Sequence, residues 1–425
     1  MNRVAFAVRA FRDPVGLMER VSRGGELVRI TGGRRPTFAV TSPALALDIL
    51  ETHADVFLKG AGSKRLARVM GQGLQVSEGK HHHRERALLD PSFDHSHVLR
   101  YGDTVARALG RASSRWKDGQ AIDPIPAMRA ITTEAILRAL FSEASDDEVD
   151  RLSEAVTDEA GGLWRAMVPG SNGLGRVLPG FRRFRRAREG LDSYIADAVR
   201  RRRSGEVSEP DLLSSMLDAR VDGAGMSDTD ARDEVISLLL AGRGTITAGL
   251  AWTWLLLARH PAVEERLHAE VDDVVGDGEP SVDSLERLPF TRAVWDEALR
   301  VYPPAWVVRR KAARAQELGG VTIPEGSTLL LNVFGIQRGG PGGTAFEPER
   351  WLGGERSAPF TYLPFGAGPR GCIGFHFATM EAVLLLAGIA ARRRFEEVGH
   401  ASDSTFARSI TLRPRQPIEL KIRAR

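Results

Sequence analysis

The chain has 425 residues, 42% of them hydrophobic and 27% charged, with a net charge of +4. A chain of this length buries a core without staples, and so small a charge excess gives no reason to expect a nucleic-acid partner. One cysteine, Cys372, excludes an internal disulfide and any cluster held by four thiolates, so a reducing cytoplasm is the expected home.

The opening stretch "MNRVAFAVRAFRDP" has no long apolar run, so neither a secretory signal nor an integral membrane anchor is expected. No linker and no internal repeat divides the chain, and 1–425 is expected to form a single domain. Residues 26–40 read as two strands around a Gly32-Gly33 turn. "SPALALDILETHADVF" reads as a helix capped by Ser42. Helical period then covers roughly 95–140, 146–168, 180–204 and 210–219. Two basic runs there, 181–188 and 200–203, read as solvated helix faces, with contact to an anionic membrane or a partner as the weaker reading. The longest helix is predicted from Asp228 to about His260, with Ser227 as its cap, Asp228 and Asp230 in its first turn, and Pro261 beyond its end. Its apolar middle resembles a membrane span. Arg243 at the centre and the lack of a second span argue instead for a buried central helix. After Lys311 the pattern turns to short strands, with 320–333 read as one hairpin and 409–423 as another. The prediction is a mainly α fold with a small β region formed by both ends of the chain.

The lone cysteine sits in "PFGAGPRGCIGFHFA", residues 364–378. Gly366, Gly368, Gly371 and Gly374 permit close backbone approach. A helix starting near Gly374 turns its positive end to the sulfur, and Arg370 lies two residues away, so a thiolate is expected. Such a thiolate suits a nucleophile or a metal ligand. A nucleophile wants a base, and His376 points along a different face. Ligation needs only one sulfur and a cofactor that brings its own remaining ligands, as haem does.

Phe365, Gly368, Arg370, Cys372 and Gly374 spell F-x-x-G-x-R-x-C-x-G, which resembles the haem loop of the cytochrome P-450 superfamily, and Ala378 and Glu381 continue its A-x-x-E. Glu297 and Arg300 match the E-x-x-R motif, on one helix face at i,i+3, and Arg350 resembles the third member of that ion network. Gly79, Arg86, Pro91 and Phe93 match the family's third helix, with His82 where Trp often stands. A metal site at "HHH", 81–83, is the weaker reading, because consecutive histidines do not share a helix face.

The resemblance covers nearly the whole chain. It implies the cytochrome P-450 fold, with haem b between the central helix and the helix after the cysteine loop. Cys372 would be the axial ligand of the iron. Phe365, Gly366 and Gly374 would shape the loop, while His82, Arg86, Arg370 and Arg310 would neutralise the two propionates. It also implies a monooxygenase that takes O2 and two electrons and oxidises a small hydrophobic molecule. Electrons would come from a ferredoxin and ferredoxin reductase. From charge alone, the triple arginine Arg392–Arg394 reads either as a docking patch for an acidic ferredoxin or as a solvated helix end. By family position the pocket would draw on residues before Gly79, the segment around 164–180, Ala241, Trp306, Val307, Val308 and 410–412, with Thr411 in contact with substrate. A role in secondary metabolism follows only by analogy.

The pattern breaks in the central helix, which reads Ala241-Gly242-Arg243-Gly244-Thr245-Ile246. Ala241 and Thr245 share the face that the family turns to the haem. The proton-relaying acid is replaced by Gly244, and Arg243 takes a variable position facing away. Either the two glycines open a groove or proton delivery is altered. The alternatives are therefore a peroxide-using, radical-coupling or isomerase/dehydratase enzyme, and beyond these a non-catalytic haem protein.

Overall fold

The computed structural model describes residues 6–425 except 7, 10–11, 168–179, 208, 341, 354–360, 400–405 and 408–410. In chain order the helices are α1 (Pro14–Ser22), α2 (Pro43–Leu47), α3 (Ala61–Met70), α4 (Gly79–Leu89), α5 (His95–Val98), α6 (Gly102–Ser113), α7 (Pro124–Leu140) and α8 (Asp146–Met167). They continue as α9 (Phe181–Arg203), α10 (Leu212–Asp218), α11 (Asp228–Arg259), α12 (Pro261–Val274), α13 (Pro289–Val301), α14 (Val333–Arg338) and α15 (Phe375–Ala390).

The predicted central helix is α11. Ser227 and Asp230 close a reciprocal capping box at its start, satisfying two backbone donors that a helix end leaves free. Its 32 residues span about 48 Å. Its C-terminal half is buried, and Trp252 stacks flat on Tyr302 at 4.0 Å. Gly249 lets α13 come close: a Cβ there would lie 2.6 Å from the Trp295 ring. The hydroxyls of Thr132 on α7 and Thr247 on α11 meet at 3.1 Å. The apolar stretch is thus the core of a helical layer, and Arg243 hydrogen-bonds within the protein.

The strands differ from expectation in their pairing. β1 (Leu27–Thr31) and β2 (Thr37–Val40) form the expected hairpin. They join β3 (Phe57–Leu58), β5 (Val308–Ala312) and β8 (Thr328–Leu331) in the order β1-β2-β8-β5-β3. Residues 320–333 are not a hairpin: β7 (Val321–Ile323) pairs with β6 (Gln316–Leu318), while β8 runs parallel to β2. Nor do the two ends of the chain share a sheet. β10 (Leu420–Ala424) pairs with β9 (Arg393–Glu397) and with β4 (Ala121–Ile122). Apolar alternation marks a strand but does not name its neighbour. The helix expected from Ser42 also stops early: α2 passes into a wider π turn at Asp48–Thr52, and Ser42 makes no side-chain cap bond.

Of the basic runs, 181–188 lies largely on an exposed face of α9, as expected, but 200–203 is not solvated throughout, because the Arg202 side chain is buried. On α9, Arg183 bonds Asp158, Arg188 bonds Glu159, and Arg202 bonds Glu143 and Asp211. A large core packs the helices around α11 and α15, and a second, smaller one fills the space under the five-stranded sheet. The cysteine loop leaves the second core at Leu363 and enters the first through α15.

Candidate active site

The loop 364–374 is shaped by its own backbone. Cys372 N–H donates to the Phe365 carbonyl at 2.8 Å, and Gly371 N–H to that of Gly368 at 2.9 Å. Gly368 adopts φ +68°, and a Cβ there would lie 2.1 Å from the Leu50 carbonyl oxygen, so only glycine fits. Gly366 also has positive φ, at +69°. Phe365 packs edge-on against Phe375, and Gly374 caps α15.

Cys372 presents its own surface to open space, yet protein surrounds it at longer range. That desolvation pushes the thiol up, while the Gly374 N–H and the Arg86 charge pull it down. The helix end alone therefore does not deliver the expected thiolate. A bound metal cation would, since coordination deprotonates a thiol. The thiol opens on a cavity of about 410 Å3 lined by Arg86, Asp90, Tyr362, Phe365 and His376. No residue of α11 lines that cavity, so it is not where a substrate would meet Thr245.

A set of cations lies beside the loop. Arg370 donates to the carbonyls of Ala54 and Phe57, at 2.8 and 2.9 Å, and to Glu78 at 2.8 Å. Arg310 is 9% exposed, and its side chain donates to the carbonyl of Arg309. Burial, with Arg370 close by, brings Arg310 down to about 10. Lys59, on which no sequence motif falls, donates to the carbonyls of Leu74 and Ser77 and is pushed down by burial to about 8. His82 is the buried one of the three histidines, and burial beside these cations holds it at about 3, so it is neutral. Arg86 reaches the Gly371 carbonyl at 2.7 Å and pairs with Asp90.

Lys59, Arg310 and Arg370 carry three positive charges, and Glu78 carries one negative charge among them. Glu234, close behind, is raised by burial to about 8 and is neutral near pH 7. The buried excess is two, and two propionates would balance it. Excess cations beside an open thiol therefore fit haem b, with Cys372 as the iron's donor.

The E-x-x-R pair behaves differently. Glu297 is fully buried and accepts five bonds. They come from Arg300 Nε and Nη2 at 2.8 and 2.9 Å, Arg350 Nε at 3.0 Å, Trp351 Nε1 at 2.9 Å and the Glu347 N–H at 2.9 Å. Arg300 also donates to the carbonyls of Gly343 and Ala345. The glycine-rich stretch before Arg350 thus supplies carbonyls to Arg300.

In α11, Thr245 is exposed to open space and its Oγ1 donates to the Ala241 carbonyl at 3.2 Å. Nothing lies within 4 Å of a Cβ built on Gly242, and only the Thr411 methyl, at 3.8 Å, meets one built on Gly244. The two glycines therefore leave a groove. Arg243 is buried and donates to Thr157 Oγ1 on α8 at 2.9 Å. Trp306 is packed into the large core, while Val307 and Val308 are half-buried. Residues 168–179 and Ile410, also named for the pocket, lie outside the described residues. Of the proposed docking arginines, Arg394 is bound to buried Glu264 at 2.8 Å and Arg392 lies 3.6 Å from Glu279.

The family description for cytochrome P450 matches residues 11–422. The chain is 34% identical to cyclooctatin synthase of Streptomyces melanosporofaciens, over 91% of this chain and 86% of that one. It is 33% identical to pentalenene oxygenase of Streptomyces avermitilis, over 99% and 95%. Its fold is similar to that of the cytochrome P450DA heme domain, with a TM-score of 0.86 at 24% identity, covering 97% of this chain and 92% of that one.

Proposed function

The chain belongs to the cytochrome P450 family of haem b monooxygenases, and from that premise we propose that it inserts one oxygen atom from O2 into a small cyclic hydrophobic molecule, with electrons from a ferredoxin and its reductase. Pentalenene oxygenase and cyclooctat-9-en-7-ol 5-monooxygenase of Streptomyces melanosporofaciens, 34% identical over 91% of this chain, are named for terpenoid substrates. A substrate of that kind suits an apolar pocket. The observation that carries the reading is the buried excess of two positive charges beside the Cys372 loop.

Haem b, when bound, supplies the activation of O2 and the transfer of one oxygen atom. The chain's own residues do the rest. Cys372 would hold the iron, with its lone pair set by the Gly374 N–H. Lys59, Arg310, Arg370 and His82 would fix the propionates. The Thr245 hydroxyl is free to turn from the Ala241 carbonyl and would pass a proton at Oγ1. With no carboxylate at 244, that proton would come from water in the glycine groove.

The test is turnover of a panel of cyclic terpenes with ferredoxin, reductase, NADPH and isotopically labelled O2. We expect one labelled oxygen in the product. The open groove at Gly244 also supports a second reading, a peroxide-using or otherwise atypical enzyme. Product from peroxide but not from NADPH would favour that reading, and conversion with no electron source would mark an isomerase or dehydratase.

A further inference from the structure

Of the three histidines in a row, the haem reading uses only His82. His81 has different neighbours. It stands one turn before Glu85 on α4, at i,i+4, so the two side chains share a face. That face meets the first turn of α11, where Asp230 completes the capping box of Ser227. One ring nitrogen of His81 and one carboxylate oxygen each of Glu85 and Asp230 lie within 4.8 Å of one another.

Each of these side chains has one polar atom held by the protein and another left over. His81 Nε2 lies 3.2 Å from the Gln72 carbonyl, which only accepts, so Nε2 carries the proton and Nδ1 keeps its lone pair. Asp230 Oδ2 accepts from the Ser227 hydroxyl at 2.7 Å and the Ser227 N–H at 3.4 Å, which leaves Oδ1. Glu85 Oε1 accepts from Arg84 Nη1 at 2.6 Å, whereas Oε2 is buried with no hydrogen-bond partner among the described residues. Glu85 is 0% exposed, so bulk water does not reach that oxygen. A buried carboxylate oxygen without a donor is costly. Arg84 is the cation in contact with the group: it bonds Glu85, lies 3.9 Å from Asp230 Oδ2 and donates to the Gly225 carbonyl. Two carboxylates thus meet one guanidinium. Burial first, and the Asp230 charge second, push the Glu85 carboxyl up, as expected of an acid short of a cation.

We propose that His81, Glu85 and Asp230 form a site for one divalent transition-metal cation, best matched by zinc, that ties the start of α4 to the start of α11. One imidazole with two carboxylates suits zinc, whereas calcium and magnesium prefer oxygen alone. Zinc holds such ligands at about 2.0–2.2 Å, in a tetrahedron with edges of about 3.4 Å, so the three atoms need to close by no more than about 1.4 Å. His81 and Asp230 are half-buried, which leaves them room to move and leaves the fourth position to water. Arg84 and the Gln72 carbonyl would stay on the atoms they already hold and orient the ligands from behind. The role is structural. His82 and Arg86, each next to a ligand in sequence, belong to the haem cradle. Zinc would fix the rotation of α4 that buries His82 and brings Arg86 to the Gly371 carbonyl.

The experiment is calorimetric titration of Zn2+ into metal-stripped, haem-loaded protein, with thermal unfolding on the same samples. Haem loading keeps Cys372 out of the measurement. We expect one saturable equivalent, and a rise in unfolding temperature of about 3–5 °C with zinc a hundredfold above its dissociation constant. His81→Ala and Glu85→Gln should each weaken binding at least about tenfold, since even an outer partner of a metal ligand is worth that much. His83→Ala should bind as the parent does, and the haem absorption should not change on adding zinc. No heat of binding would mean that a proton fills the gap at Glu85, and it overturns the site. Undiminished binding in both H81A and E85Q also overturns it, and would place zinc on other histidines, such as His95 and His376, whose rings lie 5.4 Å apart. Tighter binding of calcium than of zinc overturns it as well. H81A keeps the test decisive if E85Q folds poorly, because His81 is half-buried. The heat does not depend on turnover, so the monooxygenase reading and the zinc site stand or fall separately.

Discussion

Two buried charged regions of this molecule are built in opposite ways. Around Glu297 every lone pair has its donor, and both arginines that bind it belong to the chain. Around Lys59, Arg310 and Arg370 the chain supplies one carboxylate for three cations. Burying charge is expensive unless it is matched. A region that matches itself is part of the scaffold, and a region that does not is waiting for a ligand of the opposite sign.

The most severe way to break this comparison is Glu297→Ala. It strands Arg300 and Arg350 without their carboxylate. We expect a loss of about 3–5 kcal/mol, read as a lower urea midpoint and a poor soluble yield. A loss under about 1 kcal/mol would place this network among ordinary surface ion pairs.

Arg310→Met probes the other region and should do the reverse. The haem-free protein should be no less stable, because a costly buried charge has gone. The haem should dissociate at least about tenfold faster, because a charge-assisted bond has gone. Equal destabilisation of both forms would mean that Arg310 is scaffold as well.

A pH profile sharpens the contrast further. Lys59 titrates near 8 in the folded chain against an ordinary value of 10.5. Between those values the unfolded chain holds more protons, so the stability of the haem-free protein should rise with pH across that window. Propionates would restore the lysine's charge and flatten the rise. Urea midpoints of both forms from about pH 7.5 to 10 decide it: parallel curves would remove Lys59 from the haem site.

The smallest effect is expected at Gly244→Asp. The groove has room, since a Cβ there meets only the Thr411 methyl at 3.8 Å. Product formed per NADPH should rise by no more than about tenfold, since water already serves the relay. No change in coupling would show that proton delivery is not limiting.

Much of the site was legible because its motifs are local. The fixed residues of the cysteine loop lie within ten positions, and Glu297 and Arg300 share one turn. Lys59 was not legible. It sits in "DVFLKGAG" with no pattern around it, and only the packing of that segment against residues 74–78 turns it toward Arg310. The choice among three adjacent histidines was equally hidden, since the rotation of α4 against its neighbours decides which one is buried.

The amino-acid sequence by itself determined the elements that depend on near neighbours. The capped helix α11, the β1–β2 hairpin and the glycine loop around Cys372 are set by caps, turn residues and backbone freedom acting over a few positions. The tertiary structure decided the rest. It chose the partner strands, made β8 run along β2 instead of folding back on β7, and lowered the pKa of Lys59 and Arg310 by enclosing them. The physical reason is range. Turn and cap chemistry is complete within one segment, whereas strand pairing and desolvation depend on what the fold brings up from far along the chain.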